Sequence, residues 1–170
     1  MKLLFDFFPI ILFFITFKLY DDHKDGILAA TAVIIVATII LPALIAMIDG
    51  GQAPDAAYLD ALRQLVKDET LDPAFRALTM ALPSEDDLAQ PFADMGRTPD
   101  PQAIWDGREA MRGAVAEVLK DDLTLLYAAN TVTEPFRPDA EQGGKRSFAN
   151  VILSLMTRQD NGDAARAQYA

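Results

Sequence analysis

Few side chains in this sequence have the chemistry and the spacing of a reactive site. The single histidine, His23, lies in the run Asp21, Asp22, His23, Lys24, Asp25. Any serine-histidine-aspartate triad or histidine-ligated zinc would have to use it. The cluster has no ligand spacing that specifies a metal, and its place between two apolar runs is that of a solvated turn. Glu85, Asp86 and Asp87, and again Asp121 and Asp122, are neighbouring carboxylates. An acid/base pair needs carboxyls opposed across a cleft with their pKa values pushed apart, and neighbours on one helix face read as solvated surface. Gly143, Gly144, Lys145, Arg146 and Ser147 look faintly like a phosphate-binding loop. They lack the upstream glycine and the preceding strand, so a helix interior or first turn is the expectation. Trp105, Met111 and Tyr127 are read as core rather than a ligand cage. Cysteine is absent, which excludes disulfides, thiol nucleophiles and thiolate metal sites.

The elements that must position these residues fall into two contrasting parts. Up to Ile48 three lysines face four aspartates, so the head carries −1 and the body the other −9 of a net charge of −10. The longest basic run is Lys145 with Arg146, too little to neutralise a phosphate backbone, and nucleic acid is not an expected partner. In the head, residues 3–19 (LLFDFFPIILFFITFKL) and 27–48 (ILAATAVIIVATIILPALIAMI) are apolar runs of 17 and 22 residues. The second carries no charge and, at about 1.5 Å per residue, reaches roughly 33 Å, enough to cross a hydrocarbon core of about 30 Å. The polar turn between them makes a transmembrane helical hairpin over residues 1–48 the expectation, with the membrane as partner through residues 3–48. A signal peptide fits poorly, because Lys2 alone would form its basic end and Asp6 interrupts the run. Asp6 and Lys18 are charges within or beside the membrane, functional candidates by default; Lys18 has the simpler reading of reaching out to the interface.

Residues 49–54 read as a linker and 55–170 as an acidic all-α domain. Tyr58, Leu59, Leu62, Leu65 and Val66 keep the period of one helix face behind a capping Asp55. Asp72 with Pro73, and Asp100 with Pro101, are start signals. The first opens a helix presenting Phe75, Leu78 and Leu82; Ser84 with Asp87 opens a short helix to Gln90. A long helix is expected from Pro101 to about Asn130, burying Ile104, Met111, Val115, Val118, Leu119, Leu125 and Leu126, with Gly107 and Gly113 allowing close packing. Another from about Asp139 presents Phe148, Val151, Ile152 and Leu155. Nothing alternates at period two, so the predicted class is all-α, a helical bundle or truncated α-solenoid behind the hairpin.

Two resemblances follow. The string MKLLFDFFPIILFFITFKLYD with ATAVIIVATII, carrying FDFFP and the AT-x5-AT pattern, resembles the start of the septation protein A family of bacterial inner-membrane proteins over residues 1–40. The segments AAYLDALRQLVKDETLDPAFRALTMALPSEDDLAQPF, DPQAIWDGREAMRGAVAEVLKDDLTLLYAAN and GKRSFANVILSLMTRQD resemble the C-terminal helical domain of bacterial aminopeptidase N over about residues 50–170. That family consists of zinc metallopeptidases with H-E-x-x-H and G-x-M-E-N motifs, and this domain closes over the catalytic domain and shapes access to it. No residue of the family's zinc or substrate site maps onto this chain, so no catalytic, cofactor or metal residue is expected here, and zinc belongs to the full-length family. The resemblance implies a non-catalytic role, a peptidase catalytic domain as partner, and a superhelix that stops partway. Two alternatives stand beside it: a membrane-anchored interaction module, and a fusion remnant or chimera without evolved function, since the join falls inside an apolar run. Two spans put both ends on one side, so a cytoplasmic start gives a cytoplasmic body at the bacterial inner membrane.

Overall fold

The structure is a computed structural model and describes residues 40–168. Residues 3–19, the turn with His23 and most of the second apolar run lie outside them, as do Asp6 and Lys18. The described chain is all-α, with no strand among these residues: α1 Leu41–Gly50, α2 Ala56–Lys67, α3 Pro73–Thr79, α4 Glu85–Asp94, α5 Pro101–Leu119, α6 Leu123–Asn130, α7 Ala140–Met156 and α8 Asp163–Gln168. Among the described residues no helix is long and apolar enough to cross a membrane.

Short polar side chains set the helix starts. Asp55 accepts from the Tyr58 amide at 3.0 Å, Asp72 from Ala74 at 2.7 Å, Asp100 from Gln102 at 2.9 Å and Asp139 from Gln142 at 2.8 Å. Each satisfies an amide that the first helical turn leaves unpaired. Ser84 and Asp87 form a reciprocal capping box, with each backbone N–H donating to the other's side chain. At the far end of α4, Gly96 sits at φ 72°. Its neighbour Arg97 donates back to the Phe92 carbonyl at 2.9 Å, closing the helix with the left-handed turn that glycine adopts without strain.

The chain forms two compact units. The first, Met1–Ala53 with Ala81–Gly107, contains α1 packed on α4 and the start of α5. Ile40, Leu44 and Met47 are buried here, as are Leu88, Phe92 and Ile104. The last residues of the second apolar run, 41–48, thus form a ten-residue helix with Pro42 in its first turn, and Asp49 and Gly50 complete it. Pro42 is harmless there, because the amide it lacks would have no helical partner. A Cβ on Gly107 would stand 2.6 Å from Ile48 Cγ1, so this glycine is required by the contact.

The second unit, Pro54–Met80 with Arg108–Ala170, is built around α7, which packs on α3, α6 and α8. Leu62, Val66, Phe75, Met111, Val115, Leu119, Phe148 and Ile152 are buried in it. Gly144 brings α7 against the start of α3: a Cβ there would meet the Ala74 nitrogen at 3.1 Å.

Four expectations are corrected. α4 continues past Gln90 to Asp94 with Pro91 inside it. Leu88 and Phe92, one turn apart and both buried, hold the last turn on the core despite the missing amide. The expected helix over 101–130 is two helices, broken at residues 120–122, where the Asp122 amide tightens onto the Leu119 carbonyl at 2.8 Å. That break rotates the stripe, leaving Leu123 buried and Leu125 73 % exposed. Leu78 is 40 % exposed and Arg76 takes the inward position on α3. A Cβ added at Gly113 would meet nothing within 4 Å, so close packing belongs to Gly107 alone of that pair.

Candidate functional site

Several of the charged groups singled out in the sequence lie among the described residues, and Asp122 and Lys145 have ion-pair partners there. Asp122 is held by α2 from the neighbouring turn. Lys67 Nζ donates to Oδ1 at 2.7 Å, while Arg63 Nε and Nη2 donate to Oδ2 at 3.2 and 3.1 Å. The Lys67 hydrogen bond, aided by Arg63 and opposed by partial desolvation, holds this carboxyl below the usual carboxylate range. Asp121 is exposed beside it. Arg63 and Lys67, with Asp60, Gln64 and Asp68, also line a shallow concavity along α2.

Glu85, Asp86 and Asp87 occupy the first turn of α4. Negative charge there complements the positive end of the helix dipole, which accounts for the cluster. Residues 143–147 lie inside α7 and not in a loop. Lys145 pairs with Glu141 at 3.0 Å, one turn away. Arg146 donates to Gln142 Oε1 at 3.0 Å and lies 4.8 Å from the centre of the Phe136 ring. Trp105 is 50 % exposed and is not core; Met111 is fully buried and Tyr127 half-buried.

Buried polar residues escaped the sequence reading, Arg76 and Gln142 among them. Arg76 is 4 % exposed. Its Nε donates to the Val66 carbonyl at 2.8 Å, and its guanidinium lies 4.2 Å from the centre of the Phe148 ring. Its Nη2 is buried without a hydrogen-bond partner. Desolvation lowers its pKa from the usual arginine value, with Glu69 and Asp68 acting in the opposite direction. Gln142 accepts from the Arg137 amide at 2.8 Å and donates to the Pro135 carbonyl at 3.1 Å, pinning the loop before α7. The pattern Asp139-x-x-Gln142 is a capping signature and was a legible signal. Arg76 had none, since an arginine between Phe75 and Ala77 reads as a surface residue.

A zinc peptidase centre needs two imidazoles one helical turn apart with a carboxylate. This sequence holds one histidine, so its residues do not fit that centre. Among the described residues, no three or more His, Cys, Asp or Glu side chains stand together as a metal site. The described residues show paired charges at the surface and apolar side chains buried in each unit.

Comparison with known proteins places both parts of the chain. Residues 32–170 match the family described as a domain of unknown function (DUF3458_C) with ARM repeats. Residues 1–54 match the family described as intracellular septation protein A. Aminopeptidase N of Caulobacter vibrioides is 33 % identical over 115 residues, covering 65 % of this chain and 13 % of that protein. Aminopeptidase N of Escherichia coli is 36 % identical over 97 residues, covering 57 % of this chain and 11 % of that protein. The inner membrane-spanning protein YciB of Hydrogenovibrio crunogenus is 67 % identical over 39 residues, covering 23 % of this chain and 16 % of that protein. The chain therefore spans about an eighth or less of the aminopeptidase N relatives it matches. The two family matches overlap over residues 32–54, so the match to the helical family takes in α1. With a match over 139 of its 170 residues, the chain belongs to the DUF3458_C ARM-repeat family, the C-terminal helical domain of aminopeptidase N.

Proposed function

We propose that the helical body is a non-catalytic, peptidase-associated domain that packs on an aminopeptidase N catalytic domain and shapes access to its zinc site, tethered to the bacterial inner membrane by the segment before it. The observation that carries this reading is the family match over residues 32–170, joined to the aminopeptidase N relatives. Paired charges and buried apolar faces without a reactive cluster suit a packing role. The tether, over residues 3–48 with the body on the cytoplasmic side, is supported by the septation-family match and by relatives named as inner membrane-spanning proteins. The test is co-expression of the full chain with an aminopeptidase N catalytic region lacking its C-terminal helical domain. Hydrolysis of a small amino-acid anilide should stay level while cleavage of long peptides falls severalfold. An unchanged ratio of the two rates, with the proteins co-purifying or not, sinks the reading.

A second reading draws on one observation. The two families meet inside an apolar run, and their matches overlap across α1 rather than at a loop. That junction suits two unrelated sequences joined by accident, without an evolved function of their own. A complete peptidase gene adjacent to this one would favour it.

A further inference from the structure

The residues of α1 are wanted in two places. In sequence, residues 41–48 close the uncharged run 27–48, and that run needs them to span. Without Ile40 and α1 it shrinks to residues 27–39, which is 13 residues. At about 1.5 Å each those reach roughly 20 Å, well short of a hydrocarbon core of about 30 Å. In the structure the same residues are committed to the first unit. Ile40, Leu44 and Met47 are buried, and Ile48 occupies the space that a side chain at Gly107 would need. Asp49, next in the chain, accepts from Arg97 Nη1 at 3.0 Å and Nη2 at 2.6 Å, and the same guanidinium lies 5.0 Å from the centre of the Phe92 ring.

We propose that docking of α1 on α4 and full membrane insertion of residues 27–48 are mutually exclusive states of one segment, so that a bilayer draws α1 off the helical unit. This rests on the membrane reading of the tether given above. Both states remove the apolar side chains of α1 from water, so that share of the hydrophobic term largely cancels, while the docked state alone also covers apolar residues of α4. What differs is specific to each side. The docked state has the fit of Ile48 against Gly107 and the Asp49–Arg97 pair; the inserted state has the remaining length of the run. Small changes on α5 or in the loop at Arg97, more than 40 residues along the chain, therefore shift the membrane equilibrium.

The test uses the full chain with vesicles of mixed phosphatidylethanolamine and phosphatidylglycerol, read by flotation and by limited trypsin cleavage after Arg97 relative to Arg158 in the other unit. Vesicles should accelerate cleavage after Arg97 severalfold in the wild type. Gly107→Val, which blocks Ile48, and Arg97→Ala, which removes the Asp49 pair and the guanidinium over Phe92 but no apolar side chain, should both raise the floating fraction. Gly113→Ala, on the open face of the same helix, should not. Arg97→Ala carries the comparison if Gly107→Val fails to fold. A wild type that floats with unchanged cleavage after Arg97, or with Arg97→Ala floating alike, overturns the exclusion and leaves the tether standing. A wild type that does not float overturns both.

Discussion

Arg76 shows how a side chain's neighbours can reverse its expected placement. It is buried on α3 with one nitrogen on the Val66 carbonyl, its plane over Phe148 and Nη2 without a partner. A buried cation whose hydrogen bonds are incomplete is weak evidence for stability, and an apolar side chain of similar size often serves as well. Arg76→Met should therefore cost little, within about 1 kcal/mol, whereas Arg76→Ala should cost about 2–4 kcal/mol through the cavity it opens. Urea unfolding of the two variants separates them, and equal losses would show that the charge itself matters. Asp122 is the opposite case, a carboxylate that accepts three hydrogen bonds from two cations. Its folded pKa is lowered, chiefly by Lys67. The stabilisation is thus fully present above the unfolded value of about 3.9 and is lost as pH falls through the folded one. Asp122→Asn should cost up to about 1 kcal/mol at neutral pH and nothing in strong acid, measured by urea titration across that range.

At the scale of elements, paired glycines make a sharp test. Gly143 and Gly144 are neighbours in α7, yet a Cβ at Gly143 meets nothing within 4 Å while one at Gly144 meets the Ala74 backbone nitrogen at 3.1 Å. Gly143→Ala should stabilise by roughly 0.5–1 kcal/mol through helix propensity. Gly144→Ala should destabilise by about 1–2 kcal/mol, because a backbone neighbour cannot step aside. Thermal melts of both variants check the opposite signs. Helix starts were the most legible features of the sequence, since a cap acts within three residues of itself. Asp55, Asp72, Ser84, Asp100 and Asp139 all sit where the pattern put them. The continuation of α4 through Pro91 and the break before α6 were not legible, because tertiary burial of Phe92 and the grip of Arg63 and Lys67 on Asp122 decide them. Leu125 was misplaced for the same reason: the register of a stripe cannot be carried across a break that the stripe does not reveal.

At the scale of the molecule, the ARM-repeat family was recognisable from whole segments, though no period shows in the chain. Helices of 12, 7, 10, 19, 8 and 17 residues in succession erase any fixed spacing. One histidine and no cysteine bound the chemistry that the sequence itself can offer. An apolar stretch reads alike in sequence whether lipid or protein covers it. Each unit buries apolar residues of its own, and the chain's one tryptophan, half-exposed Trp105, belongs to the first. Its fluorescence is consequently a spectroscopic label for that unit alone, while far-ultraviolet circular dichroism reports every helix. Melting curves recorded by the two signals should separate, and superimposable curves would instead mean that α5, which contributes to both units, makes them a single cooperative block.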